Sequence, residues 1–117
     1  MLKKQYRLKN KKAFNAIYKL KNSSHKGGVS LFAGIKKTDS TLPTKVGFVV
    51  SKKTHKRAVK RNRLRRLIRE SYRILQKENN LKNSQDYLSL IFVGTENALN
   101  KNFFEIKSIV EKLLEKL

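Results

Sequence analysis

The chain has no cysteine, no tryptophan, a single proline and only eight acidic residues among 117. Without cysteine there are no disulfides, no thiolate metal sites and no cysteine nucleophile, which fits a reducing cytoplasm. The acids are Asp39, Glu70, Glu78, Asp86, Glu96, Glu105, Glu111 and Glu115. They are scattered singly, whereas a metal-dependent protein nuclease gathers carboxylates around its ions. No apolar run approaches the roughly 20 residues of a membrane span. The opening MLKKQYRLKNKK is basic but has no apolar signal core behind it. Phosphate-loop, dinucleotide and serine-hydrolase fingerprints are missing too. His25, in a glycine-rich stretch, and His55, in a run of lysines, are the only imidazoles, and both read as surface residues rather than general bases.

What is present is positive charge: 29 Lys and Arg give a formal net charge of +21. A charge of that size is an argument about partners, and it points to a polyanion. The length suits one domain, able to bury roughly two thirds of its unfolded surface around one modest core.

The charge is concentrated in Lys52 to Arg73, KKTHKRAVKRNRLRRLIRESYR, with eleven basic residues against Glu70 alone. Leu64, Leu67, Ile68, Ser71 and Leu75 fall at i, i+3, i+4, i+7 and i+11, one face of a helix. Asn62, Arg65, Arg66, Arg69 and Arg73 then cluster on the opposite side, with Arg61 and Arg63 at the edges. Arginine outnumbers lysine here, and guanidinium binds phosphate as a planar fork where ammonium acts as a point charge. Like charges three and four residues apart repel, so the compensating charge must come from outside the chain.

Along the rest of the chain, residues 1–9 read as a mobile basic arm, with Tyr6, Arg7 and Leu8 as candidates for pinning to the domain. A short helix runs from Asn10, a possible N-cap, to about Lys21, with Phe14, Ile17 and Tyr18 on one face. Asn22 to Gly28 has turn chemistry. Val29 to Lys37 alternates as a strand, with Val29, Leu31, Ala33 and Ile35 on one side and Ser30, Phe32, Gly34 and Lys36 on the other. Phe32 is then a lone large aromatic on the more polar face. Lys45 to Ser51 is a second strand and leads straight into Lys52 and Lys53. The arginine helix ends near Lys77 to Asn80. Asp86 to Gly94 reads as a central strand covered on both faces, and 96–101 as a loop. Asn102 with Glu105 forms a capping box for a last helix burying Phe103, Ile106, Val110, Leu113 and Leu117, with Phe104, Ile109 and Leu114 adjoining. The expected fold class is α+β, one sheet of about four strands with helices in the order α-β-β(-β)-α-β-α.

Arg61-Asn62-Arg63-Leu64-Arg65-Arg66-Leu67-Ile68-Arg69, preceded by Val50-Ser51-Lys52-Lys53, resembles the signature of the bacterial ribonuclease P protein subunit family. Members are small basic partners of a catalytic RNA that removes 5′ leaders from precursor tRNA. The resemblance extends more loosely over nearly the whole chain. It implies that the arginine helix lies in a left-handed βαβ crossover, where a right-handed one is the general rule. It also implies that Arg61, Asn62, Arg63, Arg65, Arg66, Arg69 and Arg73 face the RNA subunit, and that Phe14, Tyr18, Phe32, Lys52 and Lys53 line a cleft for the leader. By periodicity alone Phe14 and Tyr18 read rather as ordinary core of an amphipathic helix, and Phe32, alone on its face, is the stronger candidate. The RNA would hold the catalytic Mg2+, with no protein metal site. The loop Gly94, Thr95, Glu96, Asn97 departs from the family in lacking basic residues.

The function expected is that of the protein cofactor of ribonuclease P, a monomer in a 1:1 complex with ribonuclease P RNA, binding precursor tRNA in the cytoplasm and acting on no small molecule or membrane. The alternatives are a ribosomal RNA-binding protein or a DNA-binding nucleoid protein.

Overall fold

The apolar run SLIFVG forms the middle of the molecule because it is covered from both sides. In this computed structural model, which describes residues 6–8, 11–20, 22–39 and 41–117, it is strand β4, Ser89–Gly94. Four strands are ordered β1-β2-β4-β3, with β1 at Ser23–Lys26, β2 at Val29–Ala33 and β3 at Lys45–Val50. β2 runs antiparallel to β4, and β3 runs parallel to it. Helix α2, Ala58–Lys77, is the crossover between the two parallel strands. α1 spans Lys11–Lys19 and α3 spans Phe103–Glu115.

The two sheet faces can be assigned from register, since paired residues share a face and neighbours along a strand alternate. One face carries the paired residues Leu31, Phe92 and Phe48, together with Val29, Ala33, Val46, Val50 and Leu90. Against it pack Leu64, Ile68, Tyr72 and Leu75 of α2 and Ile106, Ile109, Val110, Leu113 and Leu114 of α3, all buried. Phe48 and Phe92 stack at 5.9 Å and 8°, and Tyr72 lies across both. The other face carries Gly47, Ile91 and Phe32 in one row, and α1 lies over it.

Several expectations need correction. The stretch read as turn, 22–28, contains strand β1, because only Gly27 and Gly28 make the turn. Their φ values of +57° and +87° suit a two-residue hairpin of the type glycine favours, so Ser23 to Lys26 can pair with β2. β2 ends at Ala33, earlier than Lys37. Pairing then becomes irregular, with Gly34 N–H donating to the Ser89 carbonyl at 2.8 Å and a lone bridge from Lys36 to Tyr87; Ile35 is left 59% exposed. The last strand starts at Ser89, not Asp86, because 82–86 forms a 3-10 turn; another turn at 96–98 buries Ala98. Tyr72 belongs to the α2 stripe, four residues on from Ile68, and its hydroxyl accepts from Gln85 Nε2 at 3.1 Å. In α3, Phe104 is 78% exposed while Ile109 and Leu114 are core; Phe104 sits about 200° around the helix from Ile106.

The capping box forms as expected: Glu105 N–H donates to Asn102 Oδ1 at 2.9 Å, and Asn102 N–H to Glu105 Oε1 at 3.1 Å. Leu8 N–H donates to the Val46 carbonyl at 2.9 Å, and Arg7 bridges Val46, which ties 6–8 to the β3 edge. Asn10, Lys21 and most of the arm 1–9 lie outside the described residues.

Candidate nucleic-acid interface

The arginine ridge sits where its sequence pattern puts it, because the α2 stripe is buried against the sheet. Asn62 and Arg66 are exposed, and Arg65, Arg69 and Arg73 are half-buried along the same side. The first turn of α2 has no acid and no side-chain cap, so the positive end of the helix dipole adds to the cations there. Three arginines also work inside the fold. Arg61 donates to the carbonyls of His55 (2.9 Å) and Lys56 (3.2 Å), folding the preceding loop onto the helix. Arg63 donates to the carbonyls of Leu99 (3.1 Å) and Lys101 (3.3 Å). Arg73 pairs with Glu70 at 2.9 Å, and that hydrogen bond chiefly holds the Glu70 carboxyl below its usual range. Arg69 Nε is buried without an acceptor among the described residues. The side chains most open to a partner are therefore Asn62, Arg65 and Arg66.

The second surface is the part of the sheet that α1 leaves uncovered. α1 crosses the strands from β3 to β2. Its Phe14 ring lies on Gly47, where a methyl group would fall 2.6 Å from Cε1. Its Tyr18 meets Phe32 edge-on at 5.0 Å and 86°. Ile17 and Ile91 are buried beneath it, whereas Phe14, Tyr18 and Phe32 are each half-buried. Partial burial raises the Tyr18 phenol above its usual pKa. All three aromatics thus combine packing with an open side, so Phe14 and Tyr18 are not fully buried core. Beside them runs one register row across all four strands, Val49, Val93, Ser30 and His25. The first three are half-buried and form a shallow floor.

Lys52 and Lys53 stand exposed at the β3 end of this floor, in the turn closed by Thr54 N–H to the Ser51 carbonyl at 3.0 Å. Thr54 Oγ1 reaches the Gly94 carbonyl at 3.4 Å, which fixes the turn to β4 just before α2. The cleft and the ridge therefore meet at Lys52 and Lys53. The non-basic loop after Gly94 braces the β1-β2 turn, because Thr95 donates through both N–H (2.8 Å) and Oγ1 (2.7 Å) to the Gly28 carbonyl.

Sequence reasoning missed Gly47 as the seat of Phe14, Arg63 as a tertiary clamp and the place of His25 in the floor. Only the isolated glycine in a strand pattern was a usable signal, since it often marks close approach of another group. Among the described residues no three His, Asp or Glu come together to hold a metal ion, and no helix is long and apolar enough to cross a membrane.

A cationic helix ridge adjoining an aromatic-walled, half-apolar groove defines a small basic α+β protein with the surface features of a nucleic-acid binder. The chain belongs to the ribonuclease P protein family: the family model described as Ribonuclease P matches residues 2–117. A "Ribonuclease P protein component" of Synechococcus sp. (strain JA-2-3B'a(2-13)) is 34% identical over 117 residues, covering 99% of this chain and 84% of the relative. That of Symbiobacterium thermophilum is 34% identical over 116 residues, covering 98% and 93%. In fold, the chain is similar to the RNase P protein of Staphylococcus aureus, with a TM-score of 0.73 at 24% identity over 97% of this chain and 95% of that one. It is similar also to that of Thermotoga maritima, at 0.71 and 18% over 95% and 96%. Family membership sets aside the ribosomal and nucleoid readings.

Proposed function

We propose that the chain binds ribonuclease P RNA through the α2 ridge and holds the 5′ leader of precursor tRNA across the uncovered sheet face, as a monomer in a 1:1 complex in the cytoplasm. The observation that carries this reading is the junction of the two surfaces at Lys52 and Lys53, so that a leader in the groove lies next to RNA held on the ridge. Arg65, Arg66 and Asn62 supply forked and amide donors to phosphates of the RNA. Phe32, Tyr18 and Phe14 offer ring faces and edges to unpaired bases, a contact every base can make and therefore tolerant of leader sequence. The Mg2+ ions and the cleavage chemistry are assigned to the RNA, because the carboxylates of this chain are dispersed. The protein's part is to neutralise phosphate repulsion and align the leader, which lets cleavage proceed at lower Mg2+.

A comparison of substrates tests this reading. Phe32→Ala should weaken holoenzyme binding to a leader-bearing precursor by about five- to a hundredfold, the range of one base stack, and leave mature tRNA binding unchanged. Equal losses for both would remove Phe32 from the leader site.

A further inference from the structure

The floor of the groove ends on a residue that neither the sequence pattern nor the family resemblance singles out. His25 is the β1 member of the row Val49, Val93, Ser30, His25. With three inter-strand gaps of about 4.8 Å, the row is roughly 14 Å long, and His25 lies at the edge furthest from Lys52 and Lys53. The ring is exposed and yet positioned. Its Nδ1 lies 2.6 Å from Ser30 Oγ, and its centroid lies 6.2 Å from that of Phe32 at 83°. Phe32 is in turn edge-on to Tyr18, so three rings follow one another from α1 to the sheet edge. The strand beneath is braced as well, because Lys116 Nζ approaches the His25 carbonyl at 3.5 Å. Two contacts therefore set the position of an exposed imidazole at the end of the row, and neither uses Nε2.

We propose that His25 is a positioning residue for the upstream part of the single-stranded leader: it stacks on, or donates to, a base that has crossed the sheet from Lys52 and Lys53. This rests on the leader lying in the groove. Only leaders long enough to span the row can reach it, so its contribution switches on with length, whereas that of Phe32, nearer the middle of the sheet, is present for shorter leaders too.

The experiment measures holoenzyme affinity, with the RNA subunit present, for precursors whose leaders lengthen one nucleotide at a time. The wild-type chain, His25→Ala, His25→Phe and Phe32→Ala are compared, each first shown folded by circular dichroism. The expected result is that His25→Ala matches wild type on short leaders and falls about five- to tenfold behind beyond a threshold length, the scale of one base contact. His25→Phe recovers most of the loss if stacking dominates and little if Nε2 donation does; either places His25 on the leader. A His25→Ala curve that follows wild type at every length, with Phe32→Ala still leader-dependent, overturns the role of His25 alone. An equal loss at all lengths and on mature tRNA makes His25 a structural residue. If Phe32→Ala shows no leader dependence either, the groove reading itself fails.

Discussion

Arg63 donates through two guanidinium nitrogens to the carbonyls of Leu99 and Lys101, at 3.1 and 3.3 Å, and so fastens the arginine helix to the loop that opens α3. It lies in the same motif as Arg66, which is exposed and has no such clamp among the described residues. The two should therefore separate in their effects. Charged hydrogen bonds contribute about 1.5–3 kcal/mol, toward the lower end here because the side chain is partly exposed. Arg63→Ala should cost about 1–2 kcal/mol in urea unfolding, and Arg66→Ala less than about 0.5 kcal/mol. Equal stabilities would mean that the clamp contributes nothing.

Arg65→Ala and Arg66→Ala should instead show themselves in RNA binding. Each removes a cation open to phosphate, so the slope of log affinity against log salt should flatten by roughly 1 per substitution. Arg73→Ala should change it less, since Glu70 already neutralises part of that charge within the helix. An unchanged slope in the Arg65→Ala, Arg66→Ala double variant would remove the ridge from the RNA interface.

The seat of Phe14 on Gly47 gives a third test. A methyl group there would overlap the Phe14 ring, so Gly47→Ala must displace that ring from its seat on the sheet. Overpacking of this kind costs about 1–3 kcal/mol, and the displaced aromatic wall should also weaken leader-dependent binding. Thermal unfolding and precursor affinity should fall together; a variant as stable as wild type would show that α1 is loosely held.

Tyr72 links stability to alkaline pH. Burial pushes its phenol up to about 12 from 10.0, with the Gln85 hydrogen bond acting the other way. The folded chain keeps a proton that the unfolded chain releases near 10, so the stabilisation is complete below pH 10 and declines as pH rises from 10 to 12. The decline amounts to about 2–3 kcal/mol. Tyr72→Phe should lack that component, measured as the difference between the two unfolding curves across this window. Parallel curves would contradict the burial of the phenol.

Much of this architecture was legible in the residues. The alternation of Val29, Leu31 and Ala33, the continuous apolar run of β4, the Leu64–Ile68–Leu75 stripe and the Asn102/Glu105 box are local patterns, and each produced its element. What escaped depends on contacts between distant parts. Four polar residues before Gly27 make a strand only because β2 is there to pair with them. Tyr72 is core only because Phe48 and Phe92 form a slot for it, and Arg63 is a clamp only because α3 starts beside it. The ridge could be read from one helix; the groove needed the sheet order, which brings Val49, Val93, Ser30 and His25 into one line.

The most direct measurement is cleavage of a 5′-extended precursor tRNA at low Mg2+ with this protein alone, with a bacterial ribonuclease P RNA alone, and with the two together. Cleavage at the mature 5′ end confined to the mixture is the predicted result. Cleavage by the protein alone, or no stimulation of the RNA by a folded protein that binds it, would contradict the cofactor role.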